Sequence, residues 1–193
     1  FLEAPKDWVQ SVYVSESFEK APEHKELLAS YQYEIVSDPV FRSISDTQTP
    51  QGVLAVVKMP VYPFSALFQG EKTQLLVLES IQDPGNLGTM FRTAEGAGVT
   101  GILMSRDTVD IFNPKTIRST MGSIYRMPFL YTEDLKKDIS ELQKEGVHFY
   151  AAHLKGKASY DEADYQKPSA FLIGNEGNGL TTEIADLADV YIR

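Results

Sequence analysis

The stretch Ile81-Gln82-Asp83-Pro84-Gly85-Asn86-Leu87-Gly88-Thr89-Met90-Phe91-Arg92-Thr93-Ala94 decides the reading of this chain. It follows an apolar run at residues 75–79 and opens a helical pattern. Pro84 and Gly85 side by side make a tight turn, and Asn86 is then placed to cap the helix. Leu87, Met90, Phe91, Ala94 and Ala97 fall at helical spacing and form the expected buried stripe. Arg92 lies about one hundred degrees from Phe91 and so off that stripe. Taken alone, Arg92 reads first as an exposed helix residue paired with Glu95 three positions on.

A second stretch has the same grammar: Phe171-Leu172-Ile173-Gly174-Asn175-Glu176-Gly177-Asn178-Gly179-Leu180-Thr181. It too joins an apolar run to a helical pattern, with three glycines in six residues that permit positive φ and close backbone approach. An ordinary Asn-Gly turn fits this string as well. A phosphate loop does not, because no Walker lysine follows. The dinucleotide fingerprint is also missing, both after the first strand and as an acidic residue some twenty positions further on.

Between and around these stretches, residues 74–193 alternate strand, loop and helix. Strands are predicted at 75–79, 101–104, 127–130, 147–152, 170–173 and 190–192, and helices at 87–97, 113–120, 133–145 and 182–188. Such alternation implies an α/β fold with a mainly parallel sheet covered on both faces. Both quoted loops then lie at the carboxyl ends of strands, where open α/β sheets bind ligands. The helix at 133–145 has Thr132 as its expected cap, an apolar stripe of Leu135, Ile139 and Leu142, and Gly146 as its stop.

Residues 1–58 read as a separate small α/β domain, with strands at 9–14, 33–36 and 52–57 and helices at 23–31 and 38–44. The last strand is a continuous apolar run, which predicts burial on both faces. Asp38-Pro39 offers a cap and a proline at the first helical position. Residues 59–72, with prolines at 60 and 63, read as a linker.

The net charge of −9 over 193 residues argues against a general nucleic-acid coat, and any contact with RNA would need a local basic patch. No apolar run reaches the ~20 residues of a membrane span. The absence of cysteine removes disulfides and thiolate metal sites and suits the cytoplasm. The three histidines, His24, His148 and His153, are too scattered for a metal site.

Asn86, Gly88, Arg92 and Ala94 match every defined position of the first signature of the TrmH branch of the SPOUT family. Leu172-Ile173-Gly174-Asn175-Glu176-Gly177-Asn178-Gly179-Leu180 is a near-complete match to the second. The chain thus resembles RNA ribose 2′-O-methyltransferases. The resemblance implies a knotted SPOUT-type sheet preceded by a small RNA substrate-binding domain, S-adenosylmethionine as cofactor, ribosomal or transfer RNA as substrate, and a homodimer. It assigns Arg92 and Asn86 to catalysis. It assigns Gly174, Asn175, Glu176, Gly177, Ala152 and Ile192 to the cofactor, and Arg92, Arg118, Ser119 and Ser123 to RNA. No metal is implied.

The third signature of that family, an Ile-Pro-Met run and a Ser-Leu-Asn motif, would follow Asp189-Val190-Tyr191-Ile192-Arg193, where the sequence stops. The expectation is therefore a methyltransferase domain at 73–193 without its knot segment. The alternative is a non-catalytic RNA-binding protein with a degenerate form of the fold.

Overall fold

The computed structural model describes residues 2–156 and 159–193. The chain forms two compact units, Phe1–Pro60 and Val61–Arg193.

The first unit is built on strand β1 (Val9–Ser15), followed by helices α1 (Glu16–Lys20) and α2 (Lys25–Leu28), strand β2 (Glu34–Val36), helix α3 (Asp38–Ile44) and strand β3 (Val53–Val57). The sheet order is β2-β1-β3, with β1 parallel to β2 and antiparallel to β3. Only the central strand is deeply buried, with Val12 and Val14 packing on Leu28. β3 is an edge strand, so its apolar run is not covered on both faces; Val56 is 42% exposed. Ser37, not Asp38, takes the cap position of α3, and the Asp38 carboxylate instead accepts from the Ser17 peptide N–H and hydroxyl.

The second unit carries six strands: β4 (Gln74–Leu78), β5 (Gly101–Ser105), β6 (Phe129–Thr132), β7 (His148–Ala152), β8 (Ser169–Ile173) and β9 (Val190–Ile192). Its helices are α4 (Pro84–Gly96), α5 (Pro114–Thr120), α6 (Leu135–Lys144) and α7 (Thr182–Ala185). All strand pairs are parallel and the order is β6-β5-β4-β8-β7-β9. The predicted mainly parallel α/β sheet is what forms. β4 is central, and its neighbour β8 follows it by more than ninety residues. Covering helices explain why β5 is buried at every position.

Two apolar clusters cover the sheet. Leu78, Leu87, Phe91, Ile102, Met104 and Phe129 belong to one. Leu75, Val77, Leu135, Ile139, Leu142, Phe149 and Leu172 belong to the other. Fully burying one such side chain is worth about 1.5–3 kcal/mol. The helix stripe at Leu135, Ile139 and Leu142 is buried as its spacing requires, but Asp134 caps that helix and Thr132 accepts from the Asp134 N–H. Residues 61–72 do not form a free linker. They fold onto the second unit through Leu67, fully buried beside Gly101, whose missing side chain leaves room for it.

Candidate functional site

α4 begins three residues earlier than its apolar stripe suggests. Asp83 is its cap and accepts from the Asn86 N–H at 2.8 Å, with Pro84 in the first turn. Asn86 therefore lies inside the helix and its side chain is free for other work. Leu87, Phe91 and Ala94 are buried, whereas Ala97, at the end of the predicted stripe, is exposed. Gly88 is where α4 crosses α5. A Cβ there would lie 2.3 Å from the Ser119 Cβ and 2.8 Å from the Thr116 carbonyl. Glycine at this position lets the two helices approach without a side chain between them.

Glu176 joins the two signature loops. Its carboxylate accepts from the Gln82 N–H at 3.1 Å, the Asp83 N–H at 3.1 Å and the Asn86 side-chain amide at 3.2 Å. Partial burial pushes this carboxyl upward. The peptide N–H groups of Glu176, Gln82 and Asp83, with the Asn86 amide, outweigh that effect and hold it below its usual value of 4.5.

Asn175 supports the same junction. Its amide donates to the Ser80 carbonyl at 2.8 Å, and its side-chain oxygen accepts from the Gly177 and Asn178 N–H groups. Below them Glu79, 7% exposed, accepts from the Thr181 N–H and hydroxyl. Gly174 closes the second loop on itself. A Cβ there would meet the Gly179 and Leu180 backbone at 2.1 Å, so no other residue fits. Asn175 and Gly179 form an isolated bridge across this turn.

Ala152, Ile173 and Ile192 end the adjacent strands β7, β8 and β9 at the same edge. The Ile192 carbonyl accepts from the His153 N–H, and Gly156 packs directly against the Ile192 backbone. With Asn175 and Glu176 turned toward the first loop, this edge offers peptide groups and small apolar side chains.

Arg92 and Arg118 differ from everything around them. Both are exposed, and neither side chain has a hydrogen bond or ion pair to a described residue. The expected pairing of Arg92 with Glu95 does not occur, because Glu95 accepts from Ser123 at 2.7 Å and pairs with Arg126. Lys115, also on α5, lies 3.5 Å from Asp83. Ser119 packs under Gly88 and donates to the Lys115 carbonyl. Ser123, 1% exposed, is spent on Glu95. Ser123 presents no hydroxyl to solvent, whereas Ser119 is half-buried.

Sequence reasoning did not find Glu79, Ser80 or Thr181, which hold the loops from beneath. A glutamate ending an otherwise apolar strand was the available signal. Among the described residues no group of three or more His, Cys, Asp or Glu side chains could hold a metal ion, and no helix is long and apolar enough to cross a membrane.

Two glycine-bearing loops are fused at the carboxyl edge of a parallel sheet, the place where open α/β sheets bind ligands, beside arginines with no side-chain partner among the described residues. Residues 73–193 match the SpoU rRNA Methylase family, and the chain belongs to that family. Residues 1–63 match the domain described as RNA 2'-O ribose methyltransferase substrate binding.

A relative in Bacillus subtilis, the 23S rRNA (guanosine(2553)-2'-O)-methyltransferase RlmP, is 34% identical over 165 residues, which is 86% of this chain and 64% of the relative. An rRNA methyltransferase from Sinorhizobium meliloti superposes with a TM-score of 0.82 at 30% identity, covering 96% of this chain and 71% of that one. Its AdoMet-bound form superposes with a TM-score of 0.81, at the same identity and coverage. The chain spans 55–64% of the length of the first curated relatives it matches.

Proposed function

We propose that the protein transfers the methyl group of S-adenosylmethionine to a ribose 2′-hydroxyl of ribosomal or transfer RNA. The observation that carries this reading is the Glu176 clamp. It unites the two family signatures into one rigid edge from which Arg92 projects without a partner.

The edge formed by Ala152, Gly174, Asn175, Glu176, Gly177 and Ile192 fits such a cofactor. Backbone N–H and carbonyl groups can read the adenine edge, and apolar side chains suit the methylene groups beside its sulfonium. The bound sulfonium makes its methyl electrophilic, so the protein's main task is in-line positioning. Arg92 holds the RNA phosphate and stabilises charge developing on the ribose 2′-oxygen; as that oxygen takes the methyl, the hydroxyl proton passes to solvent and S-adenosylhomocysteine leaves. Its guanidinium offers only N–H donors and no acceptor, so it works as a hydrogen-bond donor rather than a general base. Asn86 acts through Glu176, fixing the start of the helix that carries Arg92. Arg118 adds a second phosphate contact, while Ser119 and Ser123 support the helices beneath.

A local basic face on a chain of net charge −9 fits transient contact with RNA. We infer a homodimer, the commonest closed assembly of soluble chains, acting in the cytoplasm, where a chain with no cysteine is at home. The test uses the full-length gene product with labelled S-adenosylmethionine and unmodified ribosomal or transfer RNA. The expected product carries methyl on a ribose and resists alkaline cleavage at one phosphodiester. Cofactor-independent RNA binding with no methyl transfer would favour the non-catalytic alternative.

A further inference from the structure

Ser80 has φ of +57°, one of two non-glycine residues with positive φ among the described residues. An L-residue rarely adopts this conformation unless its surroundings hold it there. Every polar group of Ser80 is held. Its N–H donates to the Ser105 hydroxyl at 2.8 Å, and its hydroxyl donates to the Asp107 carboxylate. Its carbonyl accepts from the Gln82 amide at 3.2 Å and from Asn175 at 2.8 Å.

Asp107 sits on the loop after β5 and gathers this arrangement. It also accepts from Ser105 at 2.6 Å, and its own carbonyl accepts from the Gln82 amide at 2.9 Å. The Ser105 and Ser80 hydroxyls hold its carboxyl below the usual range, against a smaller opposing effect of burial. Three loops from three adjacent strands, β8, β4 and β5, therefore meet at one left-handed serine immediately before the Gln82–Asn86 turn.

We propose that Asp107 is a positioning residue for methyl transfer, fixing Ser80 in its left-handed conformation and so setting the direction of α4 and Arg92. This rests on the methyltransferase reading above. Among the described residues the hydrogen bonds of Asp107 run to Ser80, Ser105 and Gln82 and not to either signature helix. Its removal should therefore change how Arg92 is presented, not how much RNA or cofactor is bound.

The experiment compares full-length wild type with Asp107→Ala, Asp107→Asn, Ser80→Ala and Ser80→Gly. Asp107→Ala should lower kcat by roughly ten- to a hundredfold, a fraction of a positioned group's own effect, with KM for RNA within about twofold. Asp107→Asn keeps an acceptor oxygen and should recover most of the loss. Ser80→Gly should outperform Ser80→Ala, since glycine adopts positive φ freely whereas alanine would hold the strained conformation with no hydroxyl bond.

In a double-mutant cycle with Arg92→Ala, the Asp107→Ala loss should largely vanish. The Ser80 Cα NMR shift should leave its left-handed value in Asp107→Ala. Unchanged kcat and an unchanged Ser80 shift would overturn the proposal. So would a loss that adds fully to that of Arg92→Ala. An inactive wild type would instead refute the methyltransferase reading, and the Ser80 shift would still decide whether Asp107 sets the loop.

Discussion

The two signature loops treat their polar side chains in opposite ways. In the loop after β8, Glu176 is engaged with the first loop, Asn175 with Ser80 and with its own loop, and Thr181 with Glu79. On α4 and α5, Arg92 and Arg118 have no partner among the described residues. The difference supports the proposed division, in which the second loop builds the edge and the first loop's helix acts from it. A carboxylate with three donors is costly to disturb, whereas an exposed arginine gains its value only when a ligand arrives.

The largest effect should come from breaking the acting side. Arg92→Ala should lower single-turnover methyl transfer by roughly 10²–10⁴, with stability changed by no more than about 0.5 kcal/mol. Arg92→Lys should rescue poorly, because an ammonium cannot reproduce the planar fork. Normal turnover in Arg92→Ala would place it with the ordinary exposed helix residues.

Next come the building residues. Gly174→Ala sets a Cβ 2.1 Å from its own loop backbone, where no side-chain rotation relieves the clash. Overpacking of this kind costs about 1–3 kcal/mol or more. Thermal melting should fall by several degrees and cofactor affinity with it; an unchanged melt would mean that the loop closes differently. Gly88→Ala should destabilise by a similar amount through the contact with Ser119 and Thr116.

The clamp also has a pH signature. The folded Glu176 carboxyl sits below its usual 4.5, so its contribution is fully present above about pH 4.5 and is lost as pH falls through the folded value. Asp83 behaves alike: the Asn86 N–H foremost, and Lys115 more weakly, hold its carboxyl down against burial. Stability measured by denaturant should therefore decline on acidification below pH 4.5, and the decline should be shallower in Glu176→Gln. Equal slopes would show that the clamp carries no linked protons.

The smallest effect belongs to Arg118→Ala. It should weaken RNA binding a few-fold at low salt and reduce the salt slope by about one. Unchanged slope would remove Arg118 from the RNA path.

The strand-loop-helix order of the second unit was legible because each element has its own period and its own punctuation. Local chemistry was read less well. Asn86 looked like a cap, but Pro84 suits the first turn, so the helix starts earlier and Asp83 caps it. Residues 52–57 looked doubly buried because an apolar edge strand and an apolar central strand share a composition. Ser123 was assigned to RNA by the resemblance, and it is buried against Glu95 across 28 residues of sequence.

The bonds from Glu176 to the first loop span 90 to 94 residues and exist only because β8 lies beside β4. No periodicity encodes that neighbourhood. The same holds for Glu79 with Thr181, 102 residues apart.

The account's central claim is that Glu176 builds the edge and Arg92 acts from it. Amide hydrogen exchange over residues 82–86, measured in Glu176→Ala and in Arg92→Ala, tests it most directly. The account predicts that exchange there accelerates in Glu176→Ala, which frees the Gln82 and Asp83 N–H groups, and stays at the wild-type rate in Arg92→Ala. Equal exchange in the two variants, or acceleration in Arg92→Ala alone, would contradict it.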